Sequence, residues 1–168
     1  SHWGPQSDRD SIEALHEALD RGVNFIDTAH GYGMGKSERT IASVLKERRE
    51  EVTVATKIPP KKGPWPPTPY CDVEERLSES YLREMLDICR SNLDTDCIDI
   101  VQVHTWTRAW NANPKPLEVL ARMREEGKLR FIGVSTPEHD QNALNELMRH
   151  GLIDTIQVIY NIFEQEPA

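Results

Sequence analysis

An α/β fold built on a parallel sheet, closed as a β/α barrel, is predicted by three features of the sequence. Amphipathic helical stretches alternate with short apolar runs from one end of the chain to the other, about five of each. The apolar runs are nearly continuous, as expected of strands covered by helices. Polar residues gather where each run ends, and no Gly-x-Gly-x-x-Gly follows any of them. An open dinucleotide-binding sheet would concentrate its ligands at one crevice, whereas a barrel draws site residues from many strand ends.

The first helix falls on SIEALHEALDRG (11–22): Ile12, Leu15 and Leu19 recur at helical spacing, Asp10 can cap and Gly22 can stop it. VNFID (23–27) is the first strand. KSERTIASVLKERR (36–49) is the second helix, with Ser37 able to cap it and Ile41, Ala42, Val44 and Leu45 on its apolar face. VTVAT (52–56) is β-branched and of strand length. IPPKKGPWPPTPY (58–70) holds six prolines, which exclude a helix or a central strand. It is expected to be an extended loop over the C-terminal end of the sheet, with Trp65 either lining a pocket or packing on nearby helices.

A helix from about Cys71 to Leu93 should bury Leu82, Met85 or Leu86, Cys89 and Leu93, and IDIVQV (98–103) is the next strand. PLEVLARMREEG (116–127) has proline in its first turn and glycine at its end, the usual asymmetry of a helix. RFIGVS (130–135) is a strand. PEHDQNALNELMRHG (137–151) is a helix with Leu144, Leu147 and Met148 inward, and DTIQVIYN (154–161) is the last strand.

The length suits a single domain, residues 1–168. A net charge of −8 disfavours phosphate-backbone binding, so no nucleic-acid partner is expected. Cys71, Cys89 and Cys97 are odd in number and lack CxxC spacing, which argues against a disulfide framework or structural zinc and for a cytoplasmic protein. No apolar run approaches the roughly 18 residues of a membrane span.

Asp27, Tyr32, Lys57 and His104 lie at or just past the ends of three of these strands. Together they suit protonation of a carbonyl. A phenol is ordinarily too weak an acid for rapid donation at neutral pH, and a nearby ammonium would help it. At roughly 4 Å and an effective dielectric of about 20 that help is on the order of 4 kcal/mol. Asp27 would pair with Lys57 and fix it; His104 would hydrogen-bond and orient the substrate carbonyl. Taken singly, each has a plainer reading: a packed aromatic, a solvated lysine, a satisfied histidine, a turn-capping carboxylate.

FIDTAHGYG, ATK, QVH, GVS and QVIYN, in that order from about Gly4 to Asn161, resemble the aldo-keto reductases. The resemblance implies a (β/α)8 TIM barrel, an Asp-Tyr-Lys-His catalytic tetrad, and hydride transfer from NADPH, or NADH, to small-molecule aldehydes and ketones without a metal. It also implies that Ser135 and Gln157 hydrogen-bond the nicotinamide carboxamide and that Tyr160 stacks on its ring. Thr136 stands where many members carry Asn, and its hydroxyl would replace part of that contact. Trp106 and Trp110 either form an apolar wall for the substrate or pack internally, and His30 is expected in the pocket without a chemical role.

Set against that family, the chain is expected to be an incomplete barrel, lacking the first strand, the last two strands and the adenosine 2′-phosphate site. A fragment of this kind would be weakly active or inactive alone. Two other readings compete: a non-catalytic, cofactor-sensing or regulatory subunit on the same fold, and a metal-dependent hydrolase using Asp27, His30 and His104. The second leaves Tyr32 and Lys57 without a task.

Overall fold

Five strands, β1 (Phe25–Asp27), β2 (Thr53–Ile58), β3 (Ile98–Val103), β4 (Leu129–Ser135) and β5 (Thr155–Gln157), pair in sequence order, every neighbour parallel. The computed structural model describes residues 6–136 and 141–165. Between the strands run α1 (Asp8–Asp20, ahead of β1), α2 (Lys36–Arg48), α3 (Val73–Arg76), α4 (Glu79–Leu93), α5 (Lys115–Glu125) and α6 (Asn145–Arg149). The sheet curls into part of a barrel. Its two edge strands approach closely enough that Gln157 on β5 donates from Nε2 to Asp27 Oδ2 on β1, 3.2 Å away.

Side chains alternate across each strand, and the two faces meet different surroundings. Val54, Ile58, Val101, Val103, Ile132 and Val134 face the helices and are buried against Leu45, Leu82, Leu86, Leu120 and Met123. A Leu86→Ala truncation in this layer would cost about 2–5 kcal/mol. The opposite, concave face carries Asp27, Lys57 and Gln102, and toward the N-terminal end it exposes Phe25 and Phe131. That alternation points Asp27 and Lys57 into the barrel interior instead of into the helical layer.

Several local expectations change. Asp10 does not cap α1; Ser7 does, its Oγ accepting from the Asp10 N–H at 3.1 Å, so the helix starts three residues earlier than the sequence suggested. Ser37 does not cap α2. Gly35 precedes that helix in the left-handed region (φ 82°), and a Cβ there would strike the Asn92 side chain. The Ser37 hydroxyl instead accepts from Thr28 Oγ1 at 2.8 Å and ties α2 to the end of β1.

The helix expected over 71–93 is two helices, because Asp72 caps a short first one and Ser78 turns the backbone extended (ψ 154°) before the second. Leu82, Met85, Leu86, Cys89 and Leu93 are nevertheless buried, as the spacing required. Residues 137–140 of the helix expected over 137–151 lie outside the described residues. The remainder is a 3-10 turn (Gln141–Leu144) followed by five residues of α-helix. Leu144 and Leu147 are buried there, but Met148 is exposed. The last strand holds only Thr155–Gln157, so Tyr160 lies beyond the ladder.

Candidate active site

Lys57 is the residue around which the C-terminal end of the sheet is organised. It is 1% exposed, and β2 delivers it to the concave face between β1 and β3. Its Nζ donates to Asp27 Oδ1 (2.7 Å), Asp27 Oδ2 (2.6 Å) and the Thr28 carbonyl (2.8 Å). An ammonium has three N–H donors, and three acceptor atoms surround this one. Burial pulls the Lys57 pKa below its ordinary value, and the hydrogen bond and charge of Asp27 pull the other way. The expected Asp27–Lys57 pairing is present.

Tyr32 lies in the loop between β1 and α2. A turn holds it there: its N–H donates to the Ala29 carbonyl at 3.0 Å, and its own carbonyl accepts from the Ser37 N–H at 3.2 Å. The ammonium of Lys57 stands 5.3 Å from the ring centroid, a cation–π approach. The acidified phenol expected from sequence is not found. Burial first, and the Asp27 charge second, raise the Tyr32 pKa above 10.0. Asp27 and Thr28 absorb the ammonium's donors, so the carboxylate's field reaches the phenol as well. Tyr32 therefore holds its proton throughout the neutral range.

His104 follows β3 directly, its backbone N–H continuing the ladder to the Ile58 carbonyl at 2.9 Å. Its ring meets Tyr32 edge-on at 6.0 Å between centroids, and Trp65 edge-on at 5.4 Å. Burial, followed by the Lys57 charge and partly offset by Asp27, pushes its pKa down to about 4. A neutral imidazole keeps one N–H to donate. Asp27, Tyr32, Lys57 and His104 thus converge on one site. Trp65, half exposed, stands at this rim against His104.

Trp106 is a correction. It is 2% exposed, its indole N–H donates to Asn111 Oδ1 at 2.9 Å, and it packs edge-on against Trp110. Trp110 in turn donates to the Cys71 carbonyl at 3.0 Å. Both indoles bury their rings and satisfy their polar edge internally, which removes them from any substrate wall.

Ser135 and Gln157 are register partners at the ends of β4 and β5. Thr136 is buried beside them, its N–H donating to the Gln157 carbonyl at 3.0 Å. Tyr160 is exposed two residues past Gln157's neighbour Val158. Among the described residues, Gln102 Oε1, Thr155 Oγ1 and Gln157 Oε1 on the concave face are buried with no hydrogen-bond partner, as are His30 Nδ1, Arg76 Nη1 and Thr105 Oγ1 elsewhere. Orphaned polar atoms of this kind in a concave face are places where a polar ligand finds its contacts.

One site-proximal residue escaped the sequence reading. Glu38 on α2 is 0% exposed, accepting from Thr56 Oγ1 (2.6 Å) and Asn92 Nδ2 (2.8 Å), with His30 Nδ1 3.6 Å away. It joins α2, α4 and the residue before Lys57. His30, Glu38 and Cys89 lie close together, but Thr56 and Asn92 already occupy the carboxylate, which marks the cluster as an internal brace. The signal was available: Glu38 sits three residues before Ile41 and seven before Leu45, on the buried stripe of α2.

A parallel half-barrel that gathers an aspartate, a lysine, a histidine and a tyrosine at the C-terminal ends of its strands defines a class, the β/α-barrel proteins with their polar site at that rim. The pattern of the aldo/keto reductase family matches residues 1–168, and the chain belongs to that family. It is 32% identical to the aldo-keto reductase YhdN of Bacillus subtilis, over 98% of this chain and 47% of that protein. It is also 32% identical to the NADH-specific methylglyoxal reductase of Escherichia coli, over 97% of this chain and 52% of that one. The aldo-keto reductase AKR11C1 of Bacillus halodurans, in its holo form, superposes with a TM-score of 0.74 at 26% identity, over 93% of this chain and 50% of the other. The chain spans about half the length of these relatives.

Proposed function

We propose that this chain carries the catalytic end of a reductase that converts aldehydes and ketones to alcohols with hydride from NADPH, or from NADH as in the methylglyoxal reductase relative. The observation that supports it most is the protonated, half-exposed Tyr32 beside a fully engaged Lys57 and a neutral His104. The nicotinamide cofactor supplies the hydride. The residues present fit its carboxamide: Gln157 Oε1 lacks a partner and accepts N–H, and Ser135 stands opposite it. Thr136 and Tyr160 complete that edge of the site.

Neutral His104 donates a hydrogen bond to the carbonyl oxygen and orients it. As negative charge develops on that oxygen, Tyr32 transfers its proton to it; an alkoxide is far more basic than a phenolate, so the raised pKa of Tyr32 does not prevent the transfer. Lys57 then faces a new phenolate, and its attraction to that charge stabilises the product side of the step. In this scheme the ammonium acts after proton transfer begins, more than before it. Asp27 keeps the ammonium in place.

Incubating the protein with aldehydes and cofactor deuterated at the transferring position of the nicotinamide C4 tests the reading. Deuterium on the carbinol carbon of the product is expected, in the small amount that the weak turnover of an incomplete barrel would give. Cofactor binding without any label transfer would instead identify a cofactor-sensing protein.

A further inference from the structure

The proline-rich segment 59–70 could hang freely over the site, yet its first half is held by a buried arginine. Arg76, at the end of α3, is 6% exposed and has no carboxylate partner among the described residues. Its Nε donates to the Lys61 carbonyl at 2.9 Å and its Nη2 to the Pro64 carbonyl at 3.2 Å. The Lys61 N–H returns a bond to the Arg76 carbonyl, also at 2.9 Å. Gly63 lies flat against the guanidinium: a Cβ there would stand 2.8 Å from Cζ. The next residue after Pro64 is Trp65, edge-on to His104.

A buried cation is costly, and carbonyl oxygens alone compensate it poorly. Such a group persists where its geometry is needed. The fork of a guanidinium bridges two carbonyls that a lysine could not span. Gly63 leaves no room for a ligand between the guanidinium and the loop, and Nη1, the third nitrogen of the fork, is buried without a partner.

We propose that Arg76 is a specificity-positioning residue: by clamping the carbonyls of Lys61 and Pro64 it fixes Trp65 against His104 as one wall of the substrate pocket. Trp65 shields one edge of the imidazole, and substrates with an apolar group beside the carbonyl lie against its indole. The pocket-wall role rests on the reductase reading; the clamp itself does not.

The test has a readout for each. In the native protein the His104 ring, followed by NMR, should titrate near 4, since burial keeps it there. In R76Q the loop loosens, water reaches the ring, and the titration should move up toward the ordinary 6.5. W65A should do the same, and R76Q added to W65A should change nothing further, because the arginine acts through the indole. A native titration in R76Q, or shifts that simply add, would overturn the clamp. Should R76Q fail to fold, G63A displaces the guanidinium instead and faces the same two outcomes. Where turnover is measurable, R76Q should raise KM for apolar aldehydes by roughly three- to tenfold, the size of a lost aromatic contact, with a smaller effect on kcat. Cofactor binding with no label transfer at all in the native protein would count against the reductase reading and leave the His104 result standing.

Discussion

Near the N-terminal ends of the strands, Asp99 on β3 is 3% exposed and fully answered: the Val54 N–H (3.0 Å), Arg49 (2.8 Å) and Arg130 (3.3 Å) all reach it. Burial pushes its carboxyl up, but the arginines and the backbone N–H outweigh that and hold it below 3.8. At the other end Asp27 faces a lysine buried more deeply than itself, next to a tyrosine pushed up and a histidine pushed down. The first cluster brings matched charges into hydrogen-bonded contact and joins β2, β3 and β4. The second holds groups away from their preferred protonation behaviour, which is the signature of a site prepared for chemistry. The same division between the two rims holds across β/α barrels.

The largest stability effect should come from Asp27→Asn, which strands the Lys57 ammonium in a buried position at a cost of about 3–5 kcal/mol. Urea denaturation should show the deficit shrinking as the pH rises, since a pKa lowered from 10.5 lets the folded protein's Lys57 shed its charge before an unfolded chain's would. Asp99→Asn should cost less, about 1–3 kcal/mol, since Arg49 and Arg130 are partly solvated and an amide oxygen still accepts from Val54. It should leave turnover at the opposite rim unaffected. An equal deficit in both variants would erase the distinction between the ends.

Acid separates the two clusters further. The folded protein keeps His104 neutral while an unfolded chain protonates it, so this contribution is whole above pH 6.5 and is lost as pH falls through about 4. His104→Gln should flatten that part of the stability profile. The contribution of Asp99 is present above 3.8 and disappears only as the pH falls further. The smallest effect belongs to Arg130→Gln: the side chain is 63% exposed, so the loss should stay below about 1 kcal/mol and vanish in high salt.

Which parts were legible in the sequence follows from what each part depends on. Asp27, Lys57 and His104 end apolar runs, and the strand period together with the barrel rule carries them to one rim without further information. Their protonation was not legible. The expected acidification of Tyr32 counted the charge of Lys57 in the phenol's favour, whereas burial and the charge of Asp27 raise the phenol's pKa. The pairing of Asp27 with Lys57 was expected, but the third ammonium donor going to the Thr28 carbonyl is a contact that spacing does not reveal. Trp106 and Trp65 show the same limit. Both belong to loops on the same rim, and only packing decided that Trp106 turns inward to Asn111 while Trp65 turns to His104. Arg76 looked like one charge in a continuous helix. The break at Ser78 and the carbonyls of the proline segment give it a different task.

Tyr32→Phe bears most directly on the central assignment. The substitution removes one hydroxyl from a half-exposed ring and keeps the cation–π contact with Lys57, so folding and nicotinamide binding should be retained. Carbonyl reduction should fall by about 10²–10⁴-fold relative to the unsubstituted protein, the contribution of a positioned general acid. Undiminished reduction by the phenylalanine variant would contradict the assignment of Tyr32 as the proton donor.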